Sequence, residues 1–391
     1  MFPTLQLKSP HHITPKRVSY RLQNIKLQQF RSYQELDFDF TNQITVITGA
    51  NGHGKTNLLE AIYTLSLGQS FRTNDYTNLV NWDSDYSRIT AKINQAGIDT
   101  IESFFSRHPK RKNYKIDGVN QKQSQFIGHL QTVLFHPEDL NMLYLSPLYR
   151  RRYLDIILSQ TDREYLIALT NYRKVIKHKN ALLKQIQKKA LEFGPDIKDT
   201  DLEIWNFQLV DFASTIIKSR HDFLKRLNTD ITGIYQGISD HHEEIAISYK
   251  NKATANQPST DNLNDQLHRL LEEYKSREIL SGKSLIGPHR DDIIFTMDHH
   301  NINDSASRGE FRTLLLAIKL AEIDYITEKT GRSPLLLLDD VFSELDIHRQ
   351  NHLLNAVKGS QAIITTTAVN PDHQILNASD SLGVVQIDDL C

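Results

Sequence analysis

Cysteine is nearly absent from this chain of 391 residues, because its only cysteine is the last residue, Cys391. An internal disulfide framework and a cysteine zinc site are therefore excluded. We interpret this composition as that of a cytoplasmic protein in a reducing compartment. Long apolar runs are also absent, since the segment 335–338 ends in acidic residues and falls short of the roughly 18 residues of a membrane-spanning helix. We therefore expect no membrane-spanning segment.

An excess of charge of either sign is also missing. Lysine and arginine total 46 and aspartate and glutamate total 47, which gives a net charge of −1. This total argues against a surface coated uniformly with positive charge for nucleic acid. The average hides a contrast, because residues 150–189 contain eleven basic and three acidic residues, a local net charge of +8. The positive charge is therefore concentrated in one segment.

The length predicts two or three compact units, and the patterning divides the chain into four segments. Residues 1–19 hold three basic residues and no acid, which is typical of a flexible basic tail. Alternating apolar residues predict strands in 20–145. A Ser-Pro pair at 146 and 147 begins a glycine-poor helical arm through 280. Residues 281–391 then return to strands and one long helix.

A glycine loop lies between the predicted strand 44–48 and a predicted helix. Residues 49–56 match G-x-x-x-x-G-K-[ST], the phosphate-binding P-loop. Backbone N–H groups and a helix N-terminus would surround the phosphates, Lys55 would reach the β and γ oxygens, and Thr56 would hold Mg²⁺. The predicted nucleotide-binding residues are Gly49, Ala50, Asn51, Gly52, His53, Gly54, Lys55, Thr56 and Asn57.

A second acidic motif follows the apolar strand 335–338. Asp339 and Asp340 stand at its end, which is the Walker B arrangement. Such a strand delivers its first acid to Mg²⁺, so Asp339 joins Thr56 as a predicted metal ligand. Asp340 is predicted to orient the attacking water, and both acids join Lys55 as catalytic candidates. A simple helix cap is the alternative interpretation of Asp340.

Between these motifs, a Ser-Gly pair opens an amphipathic helix. A helix N-terminus offers free N–H groups and a positive dipole end, which suit a γ-phosphate. The predicted signature consists of Ser307, Arg308, Gly309 and Glu310. Ser343 and Asp346 bound a segment that follows Walker B, where a D-loop is expected. This order predicts an α/β fold: an ABC-type ATPase head, with a P-loop parallel sheet, an antiparallel β region and an inserted helical arm domain.

Additional segments make the likeness more specific. They are Ser70-Phe71-Arg72-Thr73, Phe135-His136-Pro137-Glu138-Asp139-Leu140, Arg150-Arg151-Arg152 after Ser146-Pro147, and Gly287-Pro288-His289-Arg290-Asp291-Asp292. With the P-loop, they resemble the RecF family of bacterial recombination and repair ATPases, which is related to the SMC proteins. The resemblance runs from about residue 20 to 388.

The resemblance implies a function as well as a fold. We hypothesise an ATP-dependent homodimer in which the signature of one protomer closes in trans over the nucleotide of the other. We expect slow, DNA-stimulated ATP hydrolysis to release the clamp, because a timed clamp has no need of a fast motor. Action at single-strand gaps with RecO and RecR would assist recombinase loading, replication restart and the SOS response.

Two basic clusters are the candidate DNA contacts. Lysine and arginine on one surface neutralise phosphates without reading sequence. A solvated charged face is the plainer interpretation of any such run, and the family resemblance favours DNA. The candidate residues are Arg150, Arg151 and Arg152 in the arm, and Arg107, Lys110, Arg111 and Lys112 beside a hairpin predicted at 117–118.

The sequence departs from the common ABC pattern at three places. No glutamine stands at a clear Q-loop position, and Gln131 only lies near the expected region. Glu310 stands where the signature has glutamine, which we expect to weaken the attraction of the helix end for phosphate. Threonines 365–367 stand where many ABC ATPases have a switch histidine. Two other functions remain open alternatives: an SMC-like structural DNA tether, and the ATPase subunit of a transporter.

Overall fold

The described part of the chain carries fourteen strands. The computed structural model describes residues 22–95, 97–193, 200–239, 242–254, 262–367 and 382–387, so the predicted tail at 1–19 lies outside the described residues. The strands are β1 (Leu22–Phe30), β2 (Tyr33–Asp39), β3 (Ile44–Thr48), β4 (Tyr86–Gln95), β5 (Ile98–Ser106), β6 (Arg111–Ile116), β7 (Val119–Gln121), β8 (Thr132–Phe135), β9 (Ile245–Lys250), β10 (Asp292–Met297), β11 (His300–Asn301), β12 (Leu335–Asp339), β13 (Ala362–Thr366) and β14 (Leu382–Gln386).

Ten α-helices connect and cover these strands in the described ranges. They are α1 (Lys55–Leu67), α2 (Gln123–Phe126), α3 (Asn141–Tyr144), α4 (Pro147–Thr161), α5 (Arg163–Phe193), α6 (Thr200–Ser239), α7 (Leu263–Ser281), α8 (Ile302–Ser305), α9 (Arg308–Thr330) and α10 (Ile347–Val357). Short 3₁₀ turns lie at Tyr76–Leu79, Pro137–Leu140 and Val341–Glu344. Across the described residues, no helix combines the length and apolar content needed to cross a membrane.

A five-stranded parallel sheet holds both predicted nucleotide motifs. Its strand order is β14-β3-β13-β12-β8. The side chains of β12 and β13 are buried throughout, as continuous apolar runs in parallel strands require. The P-loop follows β3 and the Walker B acids end β12, with β13 between them. Because parallel strands end at one edge of the sheet, the two motifs meet there.

A six-stranded antiparallel sheet, ordered β2-β1-β4-β5-β6-β7, packs over the other side of α1. The predicted hairpin at 117–118 joins β6 to β7, and both turn residues have positive φ, 47° at Asp117 and 79° at Gly118. The aspartate carboxylate also accepts the N–H groups of Asp99 and Thr100. Residues of this sheet and of α1 share one hydrophobic core, so the sheet packs against the helix that follows the P-loop. The α/β fold class is confirmed.

The arm is built on a pair of long helices, α5 and α6, that pack along each other, with α7 laid against both. Strand β9 lies inside the predicted arm, yet it pairs with β10 through six registered residues. The predicted boundary at 280/281 therefore runs through a small three-stranded sheet, β11-β10-β9. The base of the arm is joined to the C-terminal segment by this sheet.

Candidate nucleotide site

The P-loop bends tightly between β3 and α1. Gly54 caps α1 in the left-handed region, with φ of 96°, which a side chain would make unfavourable. A Cβ at this position would also lie 3.0 Å from the Tyr33 hydroxyl, which donates to the Gly54 carbonyl at 3.1 Å. At the start of the loop, a Cβ on Gly49 would overlap Ile387 at 2.3 Å. The two glycines therefore allow the close packing of this loop.

Lys55 is held against the inner side of this loop. Its Nζ donates to the carbonyls of Gly49 at 2.7 Å and Ala50 at 2.8 Å, and the residue is only 8% exposed. The ammonium group therefore lies against the carbonyls of the loop that leads into α1. This is the location at which a P-loop lysine meets nucleotide phosphates.

Thr56 and Asp339 meet across the sheet edge. The Thr56 hydroxyl donates to Asp339 Oδ1 at 2.9 Å, and the Thr365 hydroxyl at the end of β13 donates to the same oxygen at 2.7 Å. Asp339 is 5% exposed. A residue 283 positions away in sequence is thus bonded to the P-loop. Thr365, which stands where a switch histidine was expected, is buried and supports the Walker B carboxylate.

Asp340 turns the chain away from the sheet. Its φ is 53°, a left-handed conformation that aspartate tolerates better than most residues. Its N–H donates to the Thr365 carbonyl at 3.1 Å, so β13 fixes the turn. The residue is partly exposed at the same edge as Thr56 and Asp339. Its assignment as the water-orienting acid stays a prediction.

Sequence reasoning missed a histidine at this edge. His136 follows β8, the neighbour of β12, and its Nε2 lies 3.5 Å from Asp339 Oδ2. The histidine stood inside a segment noted only for its family likeness. Nothing in the sequence states which strands are neighbours, so the contact required the tertiary structure. Gln131, the glutamine near the expected Q-loop region, is buried. Its side-chain amide donates to the Gly128 carbonyl.

A buried glutamate on α1 organises the loops around the P-loop. Glu60 is fully buried and accepts two bonds from Arg31, at 2.7 and 2.9 Å, and one from Arg72 at 3.4 Å. It also contacts the Ser70 hydroxyl. Asn57, a predicted nucleotide-binding residue, accepts from Arg72 at 2.9 Å. The Ser-Phe-Arg-Thr segment therefore stabilises α1 through contacts with Glu60 and Asn57.

The predicted signature forms the N-terminus of α9. The Ser307 hydroxyl accepts the Glu310 N–H at 3.3 Å, and the Glu310 carboxylate accepts the Ser307 N–H at 2.6 Å, which is a capping box. Glu310 is thus held by its own helix end. Ser307 and Arg308 are exposed, and a Cβ placed on Gly309 would be in ordinary contact with the Arg349 guanidinium at 3.7 Å.

The predicted D-loop connects to the same helix. Ser343 lies in the turn Val341–Glu344, and Asp346 caps α10 by accepting the Arg349 N–H at 3.0 Å. The Arg349 guanidinium pairs with Asp346 and donates to the Gly309 carbonyl and the Thr313 hydroxyl. The signature and the D-loop therefore form one connected unit within the protomer.

The donors at the sheet edge suit a small hard cation. A hydroxyl and a carboxylate oxygen lie side by side, and Mg²⁺ prefers oxygen ligands and is usually bound by one or two protein groups together with substrate phosphates. Within the described residues, no cluster of three or more His, Cys, Asp or Glu forms a complete metal cage. The residues present fit Mg²⁺ bound together with a nucleotide.

Comparison with known proteins places this site in a family. The sequence profile described as "RecF/RecN/SMC N terminal domain" matches residues 21–389. The DNA replication and repair protein RecF of Bacillus subtilis strain 168 is 38% identical over 371 residues, 93% of this chain and 98% of the relative. This chain belongs to the RecF family. RecF of Bacillus cytotoxicus is 37% identical over 93% of this chain and 96% of that protein.

Solved structures agree with this RecF assignment. A RecF–ATP structure, described as the recombination mediator protein of the RecFOR pathway, superposes with a TM-score of 0.83. The two chains are 31% identical, and the match covers 92% of this chain and 95% of the other. An Smc head domain from Pyrococcus furiosus, 16% identical, superposes with a TM-score of 0.52 and covers 94% of both chains. That likeness shows the ABC-type head fold.

Arg150, one of the predicted DNA-binding residues, is not on the surface of this RecF-family chain. Arg150 is 6% exposed, and its guanidinium binds Asp292 through two bonds of 2.6 and 3.0 Å. It also donates to the carbonyls of Met142 and Leu145. A guanidinium buried and paired in this way joins α4 to β10 and does not face solvent. We therefore remove Arg150 from the predicted DNA surface.

The other basic residues differ in how much of the side chain is free. Arg151 donates to the Asp291 carbonyl at 2.8 Å, and Arg152 donates to two carbonyls of the Ser-Phe-Arg-Thr segment. Arg107 donates to four carbonyls between residues 77 and 84, so it secures a loop. Lys110, Arg111 and Lys112 are exposed, and Lys112 lies over the Tyr76 ring.

A buried charge cluster links α9 to the turn after β8. Lys319 lies 3.4 Å from both Asp139 and Glu322. Burial raises the pKa of Glu322 to about 7, and the charge of Asp139 adds to this effect against the opposing Lys319. One cation faces two carboxyl groups, and Asp139 is the more exposed of the two. The raised pKa brings the titration of Glu322 near neutral pH.

Proposed function

We propose that this chain is an ATP-dependent DNA-binding protein of recombinational repair and replication restart, which dimerises on ATP and releases DNA on hydrolysis. The observation that carries this proposal is the bond between Thr56 and Asp339, which joins the P-loop to the Walker B strand. Family membership places the chain among ABC/SMC-type ATPases. The RecF–ATP relative supports ATP as the nucleotide.

The geometry supports a division of roles among the site residues. Lys55 lies inside the loop, from which it would turn to the β and γ oxygens. Thr56 and Asp339 would hold Mg²⁺, which when bound supplies charge stabilisation for phosphoryl transfer. Asp340, at the same edge and partly exposed, would orient the attacking water. We expect slow hydrolysis, since a clamp needs timing and not speed.

Dimerisation would complete the site in trans. Ser307 and Arg308 are exposed at the N-terminus of α9. The capping box uses the N–H groups of Ser307 and Glu310, and the helix end carries partial positive charge. A second protomer could therefore present its γ-phosphate here. The capping box holds the Glu310 carboxylate at this same helix end, where its negative charge opposes the attraction for phosphate.

DNA would lie against the exposed basic groups. Lys110, Arg111 and Lys112 are exposed at one edge of the antiparallel sheet, and Arg151 and Arg152 are partly exposed on α4. Contacts with phosphates would give sequence-independent, salt-sensitive binding. We infer single-strand gaps as the target, RecO- and RecR-type proteins as partners and the cytoplasm as the location. The partner inference rests on the RecFOR description of the relative, the gap inference on the family resemblance, and the location on the near absence of cysteine.

Sedimentation velocity tests the proposal directly. The wild-type chain is expected to shift from monomer to dimer with ATP and Mg²⁺, and to co-sediment with gapped DNA in that state. Lys55→Met should remain monomeric under the same conditions, because it lacks the phosphate-binding amine. A Lys55→Met chain that dimerises on ATP as the parent does would contradict an ATP-gated clamp.

The arm disfavours the SMC-like tether. Helices α5 and α6 have 31 and 40 residues, which at 1.5 Å per residue gives roughly 47 and 60 Å. Helix α7 packs against both, and α6 also packs on α9 and β9. The arm thus folds back on the head. DNA-stimulated ATPase activity would distinguish the repair function from a transporter subunit.

A further inference from the structure

His136 has a fixed place at the carboxyl edge of the parallel sheet. It follows β8 directly, and β8 pairs with β12 so that Phe135 lies beside Leu338. His136 and Asp339 are therefore the next residues along two neighbouring strands. The ring is 16% exposed, and the Phe71 ring packs against it with centroids 5.1 Å apart. The backbone register itself places the imidazole beside Asp339.

The hydrogen bonds of His136 determine which ring nitrogen carries the proton. The Glu138 N–H donates to Nδ1 at 3.2 Å, so Nδ1 acts as an acceptor. In a neutral imidazole the other nitrogen is then the donor, and Nε2–H faces Asp339 Oδ2 at 3.5 Å. The His136 N–H is bound to Asp139 Oδ2 at 3.0 Å. Hydrogen bonds thus fix both the backbone N–H and the ring Nδ1 of His136.

These contacts reach both oxygens of the Walker B carboxylate. The hydroxyls of Thr56 and Thr365 donate to Oδ1, and His136 Nε2 lies 3.5 Å from Oδ2. Each carboxylate oxygen has more than one acceptor site, so these contacts leave room for a metal ion at Asp339. With its proton committed to Asp339, the Thr56 hydroxyl directs its lone pairs away from that carboxylate, where a metal ligand is needed.

We propose that His136 is a positioning residue of the nucleotide site: its Nε2–H holds the second oxygen of Asp339 and thereby orients the Asp339–Thr56 pair toward the metal. This inference rests on the proposed function, because it assigns a residue to the proposed metal end of that site. A group that holds a metal ligand typically contributes about 10- to 100-fold to metal affinity. His136 therefore acts through Asp339 and does not bind the metal itself.

The test measures metal binding without turnover. Mn²⁺ is titrated into protein with a slowly hydrolysed ATP analogue, and free Mn²⁺ is followed by electron paramagnetic resonance. For His136→Ala we expect Mn²⁺ affinity to fall about 10- to 100-fold, with little change in nucleotide affinity in the absence of metal. His136→Gln should recover most of the loss, because its amide N–H can donate to the same carboxylate oxygen.

Two further variants separate positioning from packing. His136→Phe keeps a ring against Phe71 but has no donor, so it should behave like His136→Ala. His300→Ala, a histidine exposed on β11, is the matched control and should bind Mn²⁺ like the wild type. If His136→Ala unfolds in a thermal melt, the Phe and Gln variants alone decide, since both fill the space.

The results distinguish this inference from the proposed function. Wild-type Mn²⁺ affinity in His136→Phe, or a Gln variant as weak as the Phe variant, would overturn the positioning role. A wild-type chain that binds the analogue no better than Lys55→Ala would overturn the nucleotide site itself. If His136 positions Asp339, His136→Ala should need a higher Mg²⁺ concentration and show a reduced kcat in steady-state kinetics. Its KM for ATP should change less.

Discussion

The nucleotide site and the basic clusters of the chain differ in what fixes the position of their side chains. The nucleotide motifs fix backbone geometry: a glycine loop, a strand end and a helix start. Their side chains meet at one sheet edge, with Thr56 bonded to Asp339. The basic clusters were defined by charge alone. Arg150 is buried in an ion pair and Arg107 secures a loop, whereas Arg111 is exposed. Charge in a sequence therefore does not show which groups face solvent.

The largest expected effect is at the nucleotide site. Asp339→Asn keeps the size of the side chain but removes its charge, so kcat should fall on the order of 1,000-fold through loss of metal-dependent stabilisation. Nucleotide binding without metal should persist. Steady-state ATPase assays and fluorescent-nucleotide titrations measure the two effects. Near-normal kcat would mean that the sheet edge is not the catalytic metal site.

Replacing Arg150 sharpens the contrast between the buried and the exposed arginine. Arg150→Ala removes the partner of the Asp292 carboxylate, whose side chain is 19% exposed, so we expect a loss of about 3 kcal/mol in unfolding free energy, the lower end of the range for a fully buried pair. Chemical denaturation measures it. Arg111→Ala is the matched control, because an exposed substitution changes stability by about 0.5 kcal/mol or less. Equal stability of the two variants would contradict the internal role of Arg150.

The exposed basic run should carry salt-dependent DNA affinity. Replacing Lys110, Arg111 and Lys112 together by alanine should weaken DNA binding and reduce the slope of log K against log salt by up to about 3, at about 0.9 per phosphate contact. Fluorescence anisotropy with gapped DNA at several salt concentrations measures the slope. An unchanged slope would show that these three residues do not contact DNA phosphates, and it would favour Arg151 and Arg152 on α4 as the DNA-binding residues.

The smallest expected effect concerns the pH dependence of stability at Glu322. Its pKa rises from 4.5 to about 7 on folding. Between these values the folded state keeps a proton that the unfolded chain has released, so stability falls as pH rises through this range. Glu322→Gln should remove this loss and gain on the order of 1 kcal/mol at pH 8. Thermal melts at pH 5 and pH 8 measure it; equal pH profiles would contradict the shift.

Much of the fold could be predicted because local patterns determined it. The strand before the P-loop, the apolar strand ending at Asp339 and the helix from about 309 to 330 all appear within a residue or two. Strand β9 was missed, because its short alternation lies between helices and its partner β10 is far along the chain. Its pairing joins the arm to the C-terminal segment, which no local signal indicates.

The sequence by itself determined the family and the α/β class, and it predicted the residues of the P-loop, Walker B and signature motifs, since each depends on residue types at fixed local spacing. Only the tertiary structure decided which distant groups touch. It placed Thr365 and His136 on the two oxygens of Asp339, buried Arg150 on Asp292 and left Arg111 exposed. The physical reason is that strand order and burial are set by the whole packed core, whereas a motif is set by its own backbone.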